Sequence, residues 1–203
     1  MDSRKRSKAN SKASGRAAGA LPRDFTKGSL RKRETLRRRY KPDKVTILFI
    51  GEAPPRSGRF FYQGDSGLYR AVRDTFLAAF PTLTEDKFLE SFYASGCYLV
   101  DLCGQPVDHL LPKVRAAICL GGEGRLERAV RCIRPKIVVT LVRSIRASVE
   151  RALAKARWSG IRLEPPYPGR WKHHRVEFQR QLAPQLMKTL SLPPRKHKTE
   201  RGS

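Results

Sequence analysis

Two carboxylates stand where a buried strand gives way to a loop. Glu52 follows the apolar, β-branched run Val45-Thr-Ile-Leu-Phe-Ile50 and the turn at Gly51, and Pro54-Pro55 then ends further ladder pairing. Asp101 follows a second run, Gly96-Cys-Tyr-Leu-Val100, in the same way. A carboxylate beside a reacting carbon can stabilise developing positive charge or orient a water, and in a loop of no function it is a cap or a solvated charge. Phe61 and Tyr62 offer either a stacking face or ordinary core packing. His173 and His174 lie in the basic stretch Arg170-Trp-Lys-His-His-Arg175, where contact with phosphate is simpler chemistry than catalysis, and Trp171 reads as packing. The four cysteines, Cys97, Cys103, Cys119 and Cys132, contain no Cys-x-x-Cys pair, so reduced core thiols are expected and no metal or other cofactor is indicated. Gly64-Asp-Ser-Gly67 is a weak match to a hydrolytic nucleophile stretch, and Ser66 is better used to start a helix.

These residues need a scaffold. Leu68, Val72, Phe76 and Ala79 share one helical face behind a cap at Asp65 or Ser66, and Pro81 closes that helix. A short helix is expected over 84–92. The stretch 110–124 has no clear period, and Gly121, Gly122 and Gly124 make its second half read as a loop. Leu126, Ala129, Val130 and Ile133 then give a helix face, stopped by Arg134-Pro135. Lys136-Ile-Val-Val-Thr-Leu141 is the third buried strand. A helix over 144–158, a short strand over 161–163 and a helix over 176–190, interrupted or restarted at Pro184, complete the pattern. Helices alternating with apolar runs predict a single α/β domain, a three-layer α/β/α arrangement with a mainly parallel central sheet. The loops 52–63, 101–108, 140–144 and 167–174 should then gather at one sheet edge, where open α/β sheets bind ligands.

Charge is the strongest compositional signal. Lysine and arginine number 43 against 18 acids, a formal net charge of +25. Such a surface attracts polyanions and is sensitive to salt; DNA, with RNA as a variant, is the leading partner, and an anionic membrane surface or the ribosome would satisfy the same electrostatics. Residues 1–43 read as a disordered basic arm, 44–192 as the folded domain and 193–203 as a basic tail. No apolar run reaches the roughly 18 residues of a membrane helix, and no signal-peptide core is visible, so a cytoplasmic monomer that does not enter membranes is expected.

Gly51-Glu-Ala-Pro-Pro55, then Gly58-Arg-Phe-Phe61, then Ser66-Gly67 resembles the first motif of the uracil-DNA glycosylase superfamily. It is most similar to the thermostable bacterial and archaeal branch, which reads Gly-Glu-x-Pro-Gly, then Gly-Arg-Pro-Phe, then a small residue and Gly. Tyr98-Leu-Val-Asp101 falls where that branch has a strand ending in Asn, and Ile133-Arg-Pro-Lys-Ile-Val-Val-Thr-Leu141 is similar to its third strand. The similarity spans 45–142 and weakens to about residue 190.

The resemblance implies an enzyme of base-excision repair that swings a damaged, deaminated base out of DNA and hydrolyses its N-glycosidic bond. Residue by residue it implies Glu52 for catalysis, with Ala53, Phe61, Asp101 and Tyr167 at the base. Arg56, Arg59, Arg170, Lys172, His173 and His174 are expected along the nucleic acid. Three departures bear on that reading. Asp101 replaces the base-reading Asn, and an ionised carboxylate only accepts hydrogen bonds, which suits a base presenting donors. Tyr167-Pro-Gly169 stands where the family has a His-Pro-Ser-type loop. No cysteine precedes Cys97, so the branch's iron–sulfur cluster is not expected. The alternative reading is a nucleic-acid-binding module that keeps the fold without turnover. A nucleotide-processing hydrolase is weakened by the lack of a Walker-type loop.

Overall fold

The computed structural model describes residues 27–169 and 171–190. The expected disorder of residues 1–26, the basic tail 193–203 and the role expected for Arg170 lie outside the described residues.

Four parallel strands form one sheet: β1 (Ile47–Gly51), β2 (Cys97–Asp101), β3 (Ile137–Thr140) and β4 (Ile161–Leu163), in the order β2-β1-β3-β4. β1 is central and buried along its whole length, as its unbroken apolar run requires. It pairs Ile47 with Cys97 on one side and with Ile137 on the other, so Gly51 lies beside Asp101. The chain leaves β1 towards β2, then crosses back to β3 and on to β4. With right-handed crossovers this reversal sends the connections to opposite faces of the sheet.

α2 (Gly67–Ala79) packs with α6 (Lys172–Thr189) in one helical layer, and α4 (Pro112–Ile133) packs with α5 (Arg146–Lys155) in the other. α3 (Phe88–Ala94) leads into β2. The three-layer α/β/α arrangement is therefore present. Ser66 caps α2 by accepting from the Tyr69 N–H at 3.0 Å.

Three sequence expectations change. The domain does not begin near residue 44, because α1 (Lys27–Arg39) is a helix seated on it. Glu34 pairs with Arg37 and Arg38 one turn on, which offsets part of the crowding of basic side chains. Arg33 is buried and donates to the Gly58 carbonyl at 2.5 Å. Tyr40, just past the helix, stacks on Tyr62 with centroids 5.5 Å apart. A few inward side chains thus fix a segment whose composition alone reads as an arm.

The second change is α4, which runs unbroken through Gly121, Gly122 and Gly124. A Cβ on Gly122 would lie 2.4 Å from the Leu102 carbonyl oxygen, so this glycine lets the helix approach the sheet edge closely. Next to it, Glu123 is buried and takes two hydrogen bonds from Arg151 of α5, at 2.6 and 3.0 Å. Tertiary packing here overrides a weak helical propensity. Third, α6 is continuous through Pro184. The proline is exposed while Phe178, Leu182 and Leu186 are buried, so the lost backbone bond lies on the solvent side.

Candidate active site

Gly51 ends β1 with no side chain because none fits. A Cβ there would meet the Asp101 Oδ1 atom at 2.5 Å. The bare backbone lets the Asp101 carboxylate lie across the end of the neighbouring strand. Backbone pairing continues past the strands: Leu102 N–H donates to Gly51 O at 2.9 Å, and Cys103 N–H to Glu52 O at 2.7 Å. Glu52 is thereby fixed on rigid backbone rather than on a mobile loop. The Leu141 N–H does the same from the other side, donating to Ile50 O at 3.0 Å.

A cleft of about 460 Å³ opens at this edge, within the usual range for small-molecule sites. It is lined by Gly51 and Glu52 after β1 and by Leu141 and Val142 after β3. Those strands are neighbours whose connections leave for opposite faces, so the cleft sits at the topological switch point of the sheet. Of the residues singled out from the sequence, it brings together Glu52, Ala53, Arg59, Phe61, Asp101 and Tyr167. The four loops do meet: each contributes lining residues.

Within the cleft the two carboxylates differ sharply. Glu52 is 8% exposed and is held by a bidentate guanidinium: Arg115 Nε donates to Oε1 at 2.7 Å and its Nη2 donates to Oε2. Ser144 Oγ donates to Oε1 at 3.0 Å. Glu52 is an oriented, charge-balanced group. Among the described residues Asp101 has no such partner; Arg37, Arg125 and Arg33 act on its carboxylate through space. Removal from water is the larger effect and pushes its carboxyl up to about 6. Both Arg115 and Ser144 escaped the sequence reading. Arg115 lies in the stretch left without an element, and nothing in a single basic residue among 43 marks it.

Phe61 is a core aromatic that also lines the cleft. Its ring is 4% exposed and packs among Tyr62, Tyr69, Phe88 and Phe92, at centroid distances of 5.1, 5.9, 6.3 and 5.3 Å. It walls the cleft from within the core and presents little free face. Tyr62 is purely structural: its hydroxyl accepts from Leu99 N–H at 2.7 Å and donates to Leu99 O at 3.1 Å. Tyr167 is the exposed aromatic of the lining, at 44%.

The remaining sequence candidates are spread more widely. Arg56 is exposed and does not line the cleft; its backbone N–H donates to Asp108 Oδ2 at 3.3 Å. Lys172, His173 and His174 form the first turn of α6, where a loop was expected. They too lie outside the lining, with the His173 and His174 rings 4.4 Å apart. No histidine lines the cleft among the described residues.

No protein-family model matches this chain, and no curated protein matches it. Among the described residues no group of three or more His, Cys, Asp or Glu side chains is placed to hold a metal ion. Cys103 and Cys119 approach to 3.5 Å between sulfurs at the foot of the site, both with thiols pushed up by burial, Cys103 to about 12. Such thiols are poor nucleophiles. No helix among the described residues is long and apolar enough to cross a membrane.

Proposed function

We propose that this chain is a DNA glycosylase that takes a base extruded from DNA into the switch-point cleft and hydrolyses its N-glycosidic bond. The observation that carries this reading is the juxtaposition of Glu52, Phe61, Asp101 and Tyr167 around one cleft at the end of β1. These are the residues that the resemblance to the uracil-DNA glycosylase superfamily implies, and they come from three separate stretches of the chain. In the reaction the C1′–N bond breaks and its electron pair leaves with the base. Water supplies the hydroxyl that joins C1′, and its proton ends on the base or in solvent. The sugar becomes cation-like as the base departs. A fixed carboxylate at Glu52, already oriented by Arg115 and Ser144, stabilises that charge without reorganising. The large positive charge and the exposed Arg59 at the cleft rim favour phosphate contacts on either side.

One observation favours a second reading, a nucleic-acid-binding module without turnover. Both Glu52 oxygens are occupied by Arg115, and no described histidine faces the cleft to stabilise a departing anion. The two readings separate in one assay. Duplex and single-stranded oligonucleotides, each with one uracil, hypoxanthine, xanthine or N7-methylguanine, are incubated with the chain and treated with alkali. Strand breaks with at least one of these bases, lost in Glu52→Gln, support the enzyme. Salt-dependent binding with no break at any base supports the module.

A further inference from the structure

An ionised carboxylate with no hydrogen-bond donor of its own is a reading head for N–H groups. Asp101 is such a group. It lines the cleft, it lies over the side-chain-free Gly51, and no described residue donates to it. Three guanidiniums, Arg33 and Arg37 from α1 and Arg125 from α4, surround it through space, and Glu34 of α1 joins Arg33, Arg37 and Arg125 in the small cavity behind it. The Arg125 Nη2 atom is committed to the Asp101 and Leu102 carbonyl oxygens, at 2.7 and 2.9 Å. Among the described residues, neither carboxylate oxygen of Asp101 receives a hydrogen bond. A carboxyl that titrates at about 6 is mainly ionised at neutral pH.

Two parallel acceptor atoms match two adjacent N–H donors, the geometry that makes bidentate carboxylate pairs strong. Extruded bases are read along their Watson–Crick edge. Guanine-type rings present N1–H and the 2-amino group side by side on that edge. Hypoxanthine presents N1–H alone, and uracil places a carbonyl on each side of its single N–H, where a carboxylate is repelled. The second constraint is the leaving group. A base that leaves as an anion needs a proton donor or a positive partner. Of the two guanidiniums in the lining, Arg115 is already bound to Glu52 and Arg59 is exposed at the rim, and no described histidine lines the cleft. A ring carrying a positive charge needs neither, because it departs neutral.

We infer that the cleft is selective for a guanine ring made cationic by alkylation at N7, read by the Asp101 carboxylate through N1–H and the 2-amino group. This rests on the proposed function for its setting, but the reading of the base does not require turnover. It also departs from the deaminated base that the family resemblance implies.

The test separates recognition from hydrolysis. Nucleosides carrying N7-methylguanine, cationic while its bond to the sugar is intact, guanine, hypoxanthine or uracil are titrated calorimetrically into the full chain and into Asp101→Asn at neutral pH. Guanine and hypoxanthine differ only in the 2-amino group. The expected result is guanine binding about tenfold tighter than hypoxanthine, the worth of one charge-assisted hydrogen bond, with N7-methylguanine tighter again and uracil weakest. In Asp101→Asn the guanine-to-hypoxanthine ratio should collapse to about threefold or less, because the amide turns one acceptor into a donor. The inference is overturned if the wild-type chain binds hypoxanthine or uracil as well as N7-methylguanine, or binds none of the four. A ratio that survives Asp101→Asn overturns it as well. The wild-type ranking alone is decisive should the variant fail to fold. Selective binding with no strand breaks in the oligonucleotide assay would keep the inference and remove the glycosylase reading; strand breaks with uracil-type selectivity would do the reverse.

Discussion

Asp101 is a carboxylate kept where it costs stability. Its folded pKa of about 6 lies above the ordinary 3.8, so the folded state holds the proton more tightly than the unfolded state does. The sign follows from that order. The contribution to stability is fully present below about pH 4 and is lost as pH rises through about 6. A shift of this size bounds the loss at about 3 kcal/mol, and solvent access to a partly buried side chain reduces it to about 1–2. Asp101→Asn should therefore stabilise the chain by that amount at neutral pH, and the advantage should vanish at about pH 4. Urea unfolding midpoints of both proteins at the two pH values measure it. An equal advantage at both would mean that packing, not desolvated charge, governs the site. Glu52, by contrast, is held by hydrogen bonds from Arg115 and Ser144. A destabilising carboxylate that lines a cleft is the mark of a group held ready for a ligand.

The elements most legible in the sequence were those whose burial is uniform. The run 45–50 and the run 136–141 became β1 and β3 because a strand covered on both faces is apolar throughout. The cleft was legible through them, since their C-terminal ends define it. α4 was not legible. Its core face is interrupted by Glu123 and its backbone by three glycines, and only contact with Leu102 and α5 explains either. Arg115, the residue that orients Glu52, was hidden with it. Two adjacent substitutions in α4 should therefore have opposite effects. Gly121→Ala meets nothing within 4 Å and should stabilise the chain by about 0.5–1 kcal/mol, the ordinary preference for alanine in a helix. Gly122→Ala puts a Cβ at 2.4 Å from Leu102 O and should instead destabilise it by about 1–3 kcal/mol. Denaturant midpoints for the pair decide the matter. Equal stabilisation by both would show that α4 does not press on the sheet edge at Leu102.

At the scale of the whole molecule, part of the basic arm belongs to the folded domain. α1 is built into the domain: Arg33 holds the Gly58 carbonyl, Tyr40 covers Tyr62, and Arg37 acts through space on Asp101. The segment before it carries charge of the same sign in a composition of Ser, Ala, Gly, Lys and Arg. Two truncations should therefore behave differently. Removing residues 1–26 should weaken DNA binding across all sequences. It should also flatten the plot of log affinity against log salt, because each phosphate contact contributes about 0.9 to the slope on a duplex. Removing residues 1–40 should flatten that plot further and also lower the midpoint, since the Tyr62 ring and the Gly58 loop lose their cover. Fluorescence anisotropy on one oligonucleotide over a salt series, alongside unfolding curves, reads these effects. A salt slope that neither truncation alters would place the phosphate contacts on the folded body, where Arg59 at the cleft rim and Lys172 at the start of α6 are the exposed cations to substitute next.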